Sequence, residues 1–273
     1  MRPLRAAQLA ATVYYGGLRA VGVTALRRQL LDAGLILCYH NVVAPGDQRI
    51  GEPSLHVACD RFERQMRWLA AHYQVITLRE FVERLAAGRS LRSTAAVTFD
   101  DGYAGVYTHA LPILDRLGIP ATVFLVAEAV GKAAGFAWDG HEVPASHRPA
   151  DWSTILAARG SRIDFGVHSA THRSLPTLAD TELEDEVVAS REVVHRATGV
   201  SPEFFAYPFG HWDPRVRDRV ESAGYRAGLA LDFGLNDEST DRWALRRVNV
   251  PAEISDTAFE AWAAGLRRPW SAR

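Results

Sequence analysis

The stretch Val97-Thr98-Phe99-Asp100-Asp101-Gly102-Tyr103 predicts a buried strand that ends in two adjacent carboxylates and a glycine. Two like charges side by side oppose each other's ionisation unless a cation or a hydrogen-bond donor lies between them. Strand residues alternate in direction, so both acids can face one pocket only where the strand ends, and Gly102 permits a turn there. An ordinary Asp-Gly surface turn would explain the same residues if the chain offered no metal ligands elsewhere.

Apolar runs alternate with helix-type patterns along the chain, at a spacing that predicts about eight strands. This alternation is typical of a parallel α/β protein. Five residues that could carry chemistry fall at predicted strand ends: His40, Asp100, Asp101, His168 and Gly210. Because the carboxyl ends of barrel strands form the catalytic face, we expect a (β/α) barrel with its site at that face. An open doubly wound sheet is the alternative, since it also places ligands there.

The patterns around these residues predict individual elements. Strands are expected over residues 35–40, 121–126, 163–167, 204–209 and 245–250, and a long helix is expected over 180–197. Residues 131–159 form a longer irregular stretch, for which loops and one short helix are predicted.

The composition limits the class of protein. The chain has 273 residues and is 48% hydrophobic, which is enough for one large core. Its formal net charge of −1 creates no global field that would favour nucleic acid, so no such partner is expected. Cys38 and Cys59 are too few for a disulfide framework, and no run of about 20 apolar residues predicts a transmembrane helix.

Residues 1–34 differ in composition from the rest. Before Asp32 the chain carries five arginines and no acidic residue, with apolar residues between them. Gln8, Gly16 and Gly17 interrupt the apolar core that a secretory signal needs. We expect a helical segment packed on a single domain of residues 35–273, and the alternative is a peripheral membrane anchor. A cytoplasmic or membrane-peripheral location is therefore favoured.

The stretch His168-Ser169-Ala170-Thr171-His172 places two imidazoles four residues apart after a predicted strand. On a helical turn this spacing puts both rings on one side. Histidine nitrogens and an aspartate oxygen suit zinc, whose catalytic sites usually keep three protein ligands and an open position; cobalt, nickel or iron fit similar ligands. One carboxylate of the Asp100-Asp101 pair would complete the set. The other would be a general base for a water that the ion acidifies.

A third stretch, Phe205-Ala206-Tyr207-Pro208-Phe209-Gly210, reads as a strand end rich in aromatic residues. Aromatic packing alone would explain it. The functional interpretation is a wall for a sugar ring, extended by Trp212, with a backbone amide near the metal that stabilises an oxyanion.

These three stretches, in this order, resemble the motifs of the polysaccharide deacetylase family (carbohydrate esterase family 4, the NodB homology domain). The resemblance runs from about residue 36 to residue 250. It implies a distorted (β/α) barrel of about seven to eight parallel strands that removes acetyl groups from N-acetylated glycans.

The resemblance also implies roles for individual residues. Asp100 would be the base, and Asp101, His168 and His172 would be the metal ligands. In Tyr207-Pro208-Phe209-Gly210, the backbone N–H of Phe209 would be the oxyanion donor.

The chain departs from the commonest family pattern in two places. Many members have an arginine where this chain has Ala206, and many have a histidine late in the chain that serves as general acid. Alternation along residues 245–250 puts Arg247 and Asn249 on one face. We hypothesise that Arg247 reaches the site and replaces the missing arginine; a surface charge is the alternative. His40, at a strand end, is favoured as a substrate contact or proton donor, and His211 is a weaker candidate.

The favoured function is a metal-dependent hydrolase that deacetylates an N-acetylhexosamine unit in a polysaccharide, oligosaccharide or lipid-linked glycan. Two alternatives stay open. The barrel could bind carbohydrate without turnover, or it could deformylate or deacetylate a small or lipid-linked aminosugar.

Overall fold

The computed structural model describes residues 2–139, 142–158 and 162–267. The apolar runs form its central strands. Every residue of β1 (Leu35–Tyr39), β5 (Thr94–Phe99) and β6 (Ala121–Leu125) is buried. Strands that are covered on both faces are characteristic of parallel sheets.

The other strands are short: β2 (Asn41–Val43), β3 (His56–Ala58), β4 (Gln74–Val75), β7 (Ile163–Val167), β8 (Phe204–Ala206), β9 (Ala227–Leu229) and β10 (Val248–Asn249). The helices are α1 (Arg2–Ala20), α2 (Val23–Leu30), α3 (Cys59–His72), α4 (Leu78–Ala86), α5 (Leu111–Leu117), α6 (Trp152–Ala157), α7 (Asp180–Glu184), α8 (Ser190–Thr198), α9 (Pro214–Ser222) and α10 (Asp256–Ala263).

Seven strands pair in the order β10-β1-β5-β6-β7-β8-β9, and all of these pairs are parallel. The sheet curls so that its two end strands approach each other. Residues 229 and 245 form a single parallel bridge between them, and Ala230 N–H donates to the Leu245 carbonyl at 2.9 Å. The predicted distorted barrel of parallel strands is therefore confirmed.

Successive strand residues point to opposite faces of the sheet and so belong to two separate apolar clusters. Residues such as Leu37, Val97 and Val123 pack with the surrounding helices. Ile36 and Phe124 point to the other face, inside the curl, where they meet Phe81 of α4. Residues that continue this inner face beyond a strand end therefore reach the mouth of the barrel.

Three predicted elements differ from the structure. The strand expected over 204–209 ends at Ala206, because Pro208 follows and Phe209 has a left-handed φ of 59°. The strand expected over 245–250 is reduced to Val248–Asn249 beside the bridge at residue 245. The helix expected over 180–197 is present, but a wider π-helical turn, Asp185–Ala189, interrupts it.

The N-terminal helices pack on the barrel through one side. Tyr15 is buried, and its hydroxyl accepts a hydrogen bond from Trp262 Nε1 of α10 at 2.9 Å. Arg19 Nε lies 3.3 Å from a Glu260 carboxylate oxygen, and the Arg28 guanidinium stacks over the Trp68 ring. Within the described residues, no helix combines the length and the apolar character that a membrane crossing requires.

Gly166 tests how tightly the inside of the barrel is packed. A Cβ at this position would lie 2.4 Å from the Phe124 ring. Gly166→Ala should therefore lower the free energy of unfolding by about 1–3 kcal/mol through overpacking. Urea denaturation followed by circular dichroism measures the change.

Gly17→Ala is the matched control, because a Cβ on this exposed glycine of α1 would meet nothing within 4 Å. It should leave stability unchanged or raise it by up to about 1 kcal/mol, since alanine favours helix. Equal stability of the Gly166→Ala variant and the wild type would show that the interior is looser than the structure indicates.

Candidate functional site

The predicted site residues converge at the carboxyl ends of three strands, of which β1 and β5 are adjacent and β7 is separated from β5 by β6. Asp100 and Asp101 follow β5, His168 follows β7, and His40 follows β1. Asp100, Asp101 and His168 are each at most 3% exposed. The barrel thus buries several ionisable groups together, which requires that they be paired or bind a cation.

The backbone separates the two adjacent aspartates. Asp100 N–H still donates to the Tyr39 carbonyl at 2.9 Å, as a continuation of the sheet. Asp101 then adopts a left-handed φ of 70° and Gly102 one of 76°. A Cβ on Gly102 would lie 2.8 Å from a Leu125 methyl group, so the turn needs glycine for space as well as for φ. The two carboxylates therefore reach different partners.

Asp100 is paired with Arg247. The guanidinium donates two hydrogen bonds, at 2.7 Å to Oδ1 and 2.8 Å to Oδ2, and both side chains are buried. Arg247 Nε also donates to the Ala230 carbonyl at 2.8 Å. Burial raises the pKa of Asp100, but the Arg247 charge outweighs it and holds that pKa well below the usual range. Asp100 is thus an ionised carboxylate with a fixed orientation.

Asp101, His168 and His172 form a separate group. Asp101 Oδ1 lies 3.5 Å from His168 Nε2 and 3.4 Å from His172 Nε2. His168 Nδ1 lies 2.8 Å from the Ala206 carbonyl, which assigns the proton to Nδ1 and leaves the Nε2 lone pair facing Asp101. One nitrogen or oxygen from each residue falls within 4.8 Å of the others.

This donor set fits a divalent cation. Asp101 Oδ1 is buried and has no hydrogen-bond partner. Burial and the charges of Asp100 and Asp139 raise the pKa of Asp101 well above its usual value, and the Arg247 charge does not offset them. Burial lowers the pKa of His172 to about 2 and also lowers that of His168, so both imidazoles are neutral ligands at pH 7. Two imidazoles and a carboxylate are a common catalytic zinc set.

The loop between the two histidines is strained. Ser169 has a φ of 65° and His172 a φ of 62°, although neither is glycine. Such conformations cost of order 1–3 kcal/mol each and persist only where the surroundings hold them. His172 N–H donates to Ser169 Oγ at 2.9 Å, which closes the loop locally. The spacing of the histidines is therefore realised in a strained loop and not in the helical turn that the sequence suggested.

The expected aromatic wall is only partly at the surface. Phe209 is 51% exposed, and its ring centroid lies 4.6 Å from that of His172. Gly210 has a φ of 70° and turns the chain tightly against Leu231. The structure does not bring the side chains of Tyr207 and Pro208 to the surface. Both are buried, and the Tyr207 hydroxyl donates to the Trp243 carbonyl at 2.7 Å.

The remaining predicted residues lie at the edges of the site. Trp212 is half-buried, and its indole N–H donates to Asp232 at 3.3 Å. A ring nitrogen of His40 lies within 4.8 Å of an Asp100 oxygen, and burial lowers the His40 pKa to about 4. His211 is exposed, and its Nδ1 lies 3.1 Å from Ser174 Oγ. Of these residues, the structure brings His40 nearest to the base candidate.

Sequence reasoning missed a second group around His172. The centroid of the Trp138 ring lies 4.5 Å from that of the His172 ring. Trp138 precedes His172 in the sequence, whereas Phe209 follows it. Trp138 Nε1 donates to the Tyr103 hydroxyl at 2.8 Å, and that hydroxyl donates to Asp139 at 2.7 Å. Trp138 and Asp139 belong to the irregular stretch 131–159, in which no periodicity identifies a contact. Glu186, which contacts the loop of residues 169–173, was missed because the π-helical turn that directs it there is not encoded in the regular pattern of the predicted helix.

Comparison with known proteins agrees with this geometry. The family model for polysaccharide deacetylase matches residues 87–228, more than half of the chain. The poly-beta-1,6-N-acetyl-D-glucosamine N-deacetylase of Staphylococcus aureus is 24% identical over 209 residues, which are 75% of this chain and 69% of that protein.

Solved structures share the fold. IcaB from Ammonifex degensii superposes with a TM-score of 0.70 at 23% identity, covering 86% of this chain and 98% of that one. The Streptococcus pyogenes deacetylase PplD, in complex with acetate, gives a TM-score of 0.69 at 17% identity, over 83% and 96% of the two chains. With its barrel, its acid and histidine motifs and the matched family model, the chain belongs to the polysaccharide deacetylase family, whose members hydrolyse amide C–N bonds.

Proposed function

We propose that the protein removes N-acetyl groups from N-acetylhexosamine units of a glycan, with Asp100 as base and Asp101, His168 and His172 as ligands of a divalent metal. The observation that carries this proposal is the separation of two adjacent carboxylates. One is paired with Arg247, and the other faces two neutral imidazoles. Carbohydrate binding alone does not need an ionised carboxylate that stays off the metal beside one that binds it.

Zinc is the metal that we propose, because two imidazoles and one carboxylate suit it, and cobalt, nickel or iron could use the same donors. The family is metal-dependent. When bound, such an ion supplies Lewis acidity: it polarises the acetyl carbonyl and lowers the pKa of a water molecule to about 7.

The chain's own residues would carry the other steps. Asp100 Oδ accepts the proton of the attacking water, and Arg247 keeps that carboxylate ionised and oriented. The backbone N–H of Phe209 donates to the developing oxyanion. The C–N bond then breaks, the amine nitrogen takes up the proton that Asp100 accepted, and the acetyl group leaves as acetic acid, which ionises to acetate at neutral pH. His40 contacts the substrate on the β1 side of the site.

A poly-N-acetylglucosamine is the substrate class that we propose to test first. The Staphylococcus aureus relative is named for that polymer. Exposed Phe209 and part-exposed Trp138 flank His172, and aromatic faces of this kind pack on the apolar faces of sugar rings.

Metal-loaded protein should release acetate and free amines from β-1,6-linked N-acetylglucosamine oligomers. A chelator should abolish this activity, and zinc should restore it. Asp100→Asn should lower kcat about 10²–10⁴-fold, because the variant lacks the base. An enzymatic acetate assay, with metal content measured in parallel, checks each expectation.

Asp115→Asn, at an exposed position of α5, is the control and should keep wild-type kcat. Failure of the metal-loaded protein to release acetate from any N-acetylated glycan would contradict the proposal. Release of formate from an N-formyl aminosugar, without acetate release from glycans, would favour the deformylase alternative.

Replacing Arg247 with Met should raise the Asp100 pKa and leave a buried carboxylate unpaired. Removing one partner of a buried pair costs about 3–5 kcal/mol. The wild-type Asp100 pKa is depressed, so its stabilising contribution is present above the unfolded pKa of about 3.9. In the variant the folded pKa is raised, so its destabilisation grows as pH rises above that value. Urea denaturation of metal-free protein should therefore show a larger deficit at pH 7.5 than at pH 4.5.

Arg246→Met is the matched control, because Arg246 is the exposed neighbour on the same segment. It should change stability by less than about 0.5 kcal/mol and leave kcat unchanged. Arg247→Met should lower kcat. A kcat equal to the wild-type value in Arg247→Met would refute the proposed orientation of the base.

We also propose that α1 and α2 contact an anionic membrane surface. One side of α1 packs on α10, yet the opposite side exposes Val13 at 68%. Val21, Leu26 and Leu30 are 75%, 56% and 63% exposed on the same segment. A helix that is apolar on both sides is usually covered on both. Arg19 and Arg28 contact the barrel, but the excess of five arginines over no acidic residue before Asp32 still favours an anionic lipid surface as the cover.

The full chain should co-sediment with vesicles of 3:1 phosphatidylcholine and phosphatidylglycerol, and less with phosphatidylcholine alone. The variant Val13→Glu/Leu26→Glu should weaken partitioning at least about tenfold, because burying each apolar side chain contributes about 1.5–3 kcal/mol.

Val200→Glu is the control, since Val200 is 49% exposed but lies after α8, outside the N-terminal segment. It should bind vesicles as the wild type does. Equal vesicle binding by the Val13→Glu/Leu26→Glu variant and the wild type would contradict this contact. Dimerisation of the protein through these helices in solution would also contradict it.

A further inference from the structure

The loop that carries His172 is held by a carboxylate from a distant helix. Glu186 is 1% exposed. One of its oxygens accepts hydrogen bonds from the backbone N–H groups of Ala170 and Thr171, both at 2.9 Å. The other oxygen accepts from the Thr171 hydroxyl and from Arg173 Nε, the latter at 3.0 Å. A single buried side chain thus receives four donors from three residues of this loop.

Two of these donor residues lie in the strained part of the loop. Ala170 and Thr171 lie between Ser169 and His172, the two residues with left-handed φ values of 65° and 62°. A strained conformation persists only where its surroundings specify it. Hydrogen bonds from backbone amides to a buried ionised carboxylate are among the stronger fixed contacts available. Burial raises the Glu186 pKa, but the Thr171 donors and Arg173 outweigh it, and the net pKa is lowered.

The helix is irregular at the same point. Glu186 lies in the π-helical turn Asp185–Ala189, between α7 and α8. Turns of this kind often occur at functional sites, where they shift which side chain points inward. Its neighbour Glu182, on α7, reaches only the Arg173 guanidinium at 2.8 Å and the amide of Ala179. Glu186 therefore contacts the loop backbone, whereas Glu182 does not.

We propose that Glu186 is a positioning residue for the metal ligand His172: it locks the backbone of residues 169–173 in the strained form that aims the imidazole at Asp101. The assignment rests on the proposed metal site. Because Glu186 fixes the geometry of a metal ligand, its removal should first lower the metal affinity. Removing groups that orient a ligand typically weakens metal binding about 10–100-fold.

The test measures zinc binding by metal-free protein in competition with a chromophoric chelator. Glu186→Gln keeps the size of the side chain but places an amide nitrogen where the carboxylate accepted hydrogen bonds. It should weaken zinc affinity about 10–100-fold. In an activity titration, the zinc concentration for half-maximal rate should rise by a similar factor, while KM for the glycan stays the same.

Glu182→Gln is the matched control. It removes the other acidic partner of Arg173 and leaves the loop amides bonded, so zinc affinity should stay within about twofold of wild type. Unchanged zinc affinity in Glu186→Gln would overturn the assignment. Equal losses in both variants would also overturn it, because the effect would then run through Arg173. Wild-type protein that binds neither zinc nor cobalt, nickel or iron would instead overturn the proposed function itself.

A measurement on the wild type covers the case in which Glu186→Gln fails to fold. In native-state hydrogen exchange of the metal-free protein, the amides of Ala170 and Thr171 should exchange at least about 100-fold more slowly than free peptide amides. Exchange at the free-peptide rate would show that the carboxylate does not hold this loop, and would overturn the assignment.

Discussion

Two neighbouring carboxylates have to remain buried without repelling each other, and the rest of the site is arranged around that constraint. A left-handed turn at Asp101 sends the two side chains to different partners. Asp100 continues the inner face of the sheet and meets a guanidinium. Asp101 meets two imidazoles whose pKa values burial lowers, so in the proposed metal site the ion would supply its compensating charge. Each carboxylate would then have its own source of positive charge.

The same ion pair takes part in closing the barrel. Among the residues that the structure describes, one bridge, at residues 229 and 245, joins the curled ends of the sheet between β9 and β10. Arg247 lies on the segment that crosses this gap. Its Nε donates to the Ala230 carbonyl beyond β9, and its terminal nitrogens reach Asp100 beyond β5. The distortion of the barrel and the position of the base are therefore linked, since one side chain bridges the seam and fixes the carboxylate.

Much of this arrangement could be predicted from the sequence, for a physical reason. Apolar runs that end in acids or histidines identify parallel strands, and parallel strands share one carboxyl edge, so His40, Asp100 and His168 had to meet. Alternation placed Arg247 and Asn249 on one face but left open whether that face points inward, and the structure buries Arg247 while it exposes Asn249. Tyr207 keeps the alternation and packs with Phe205 in the outer cluster, whereas the exposure of Phe209 could not be predicted, because alternation fails where the chain turns left-handed. Trp138 and Glu186 reach the site from an irregular stretch and a π-helical turn, and no local pattern encodes such contacts.

The limited space inside the barrel explains why this chain has Ala206 where many family members have an arginine. Ala206 is fully buried in the inner cluster with Ile36 and Phe124, and its carbonyl accepts from His168 Nδ1. That contact uses only the backbone, so the side chain at 206 is free to be small. An arginine there would add a second guanidinium to a space in which Arg247 already stacks over the Phe124 ring and occupies both oxygens of Asp100. Two buried cations sharing one carboxylate would leave one of them uncompensated. An arginine at position 206 is therefore disfavoured in this chain, where Arg247 already supplies the planar fork of donors at Asp100.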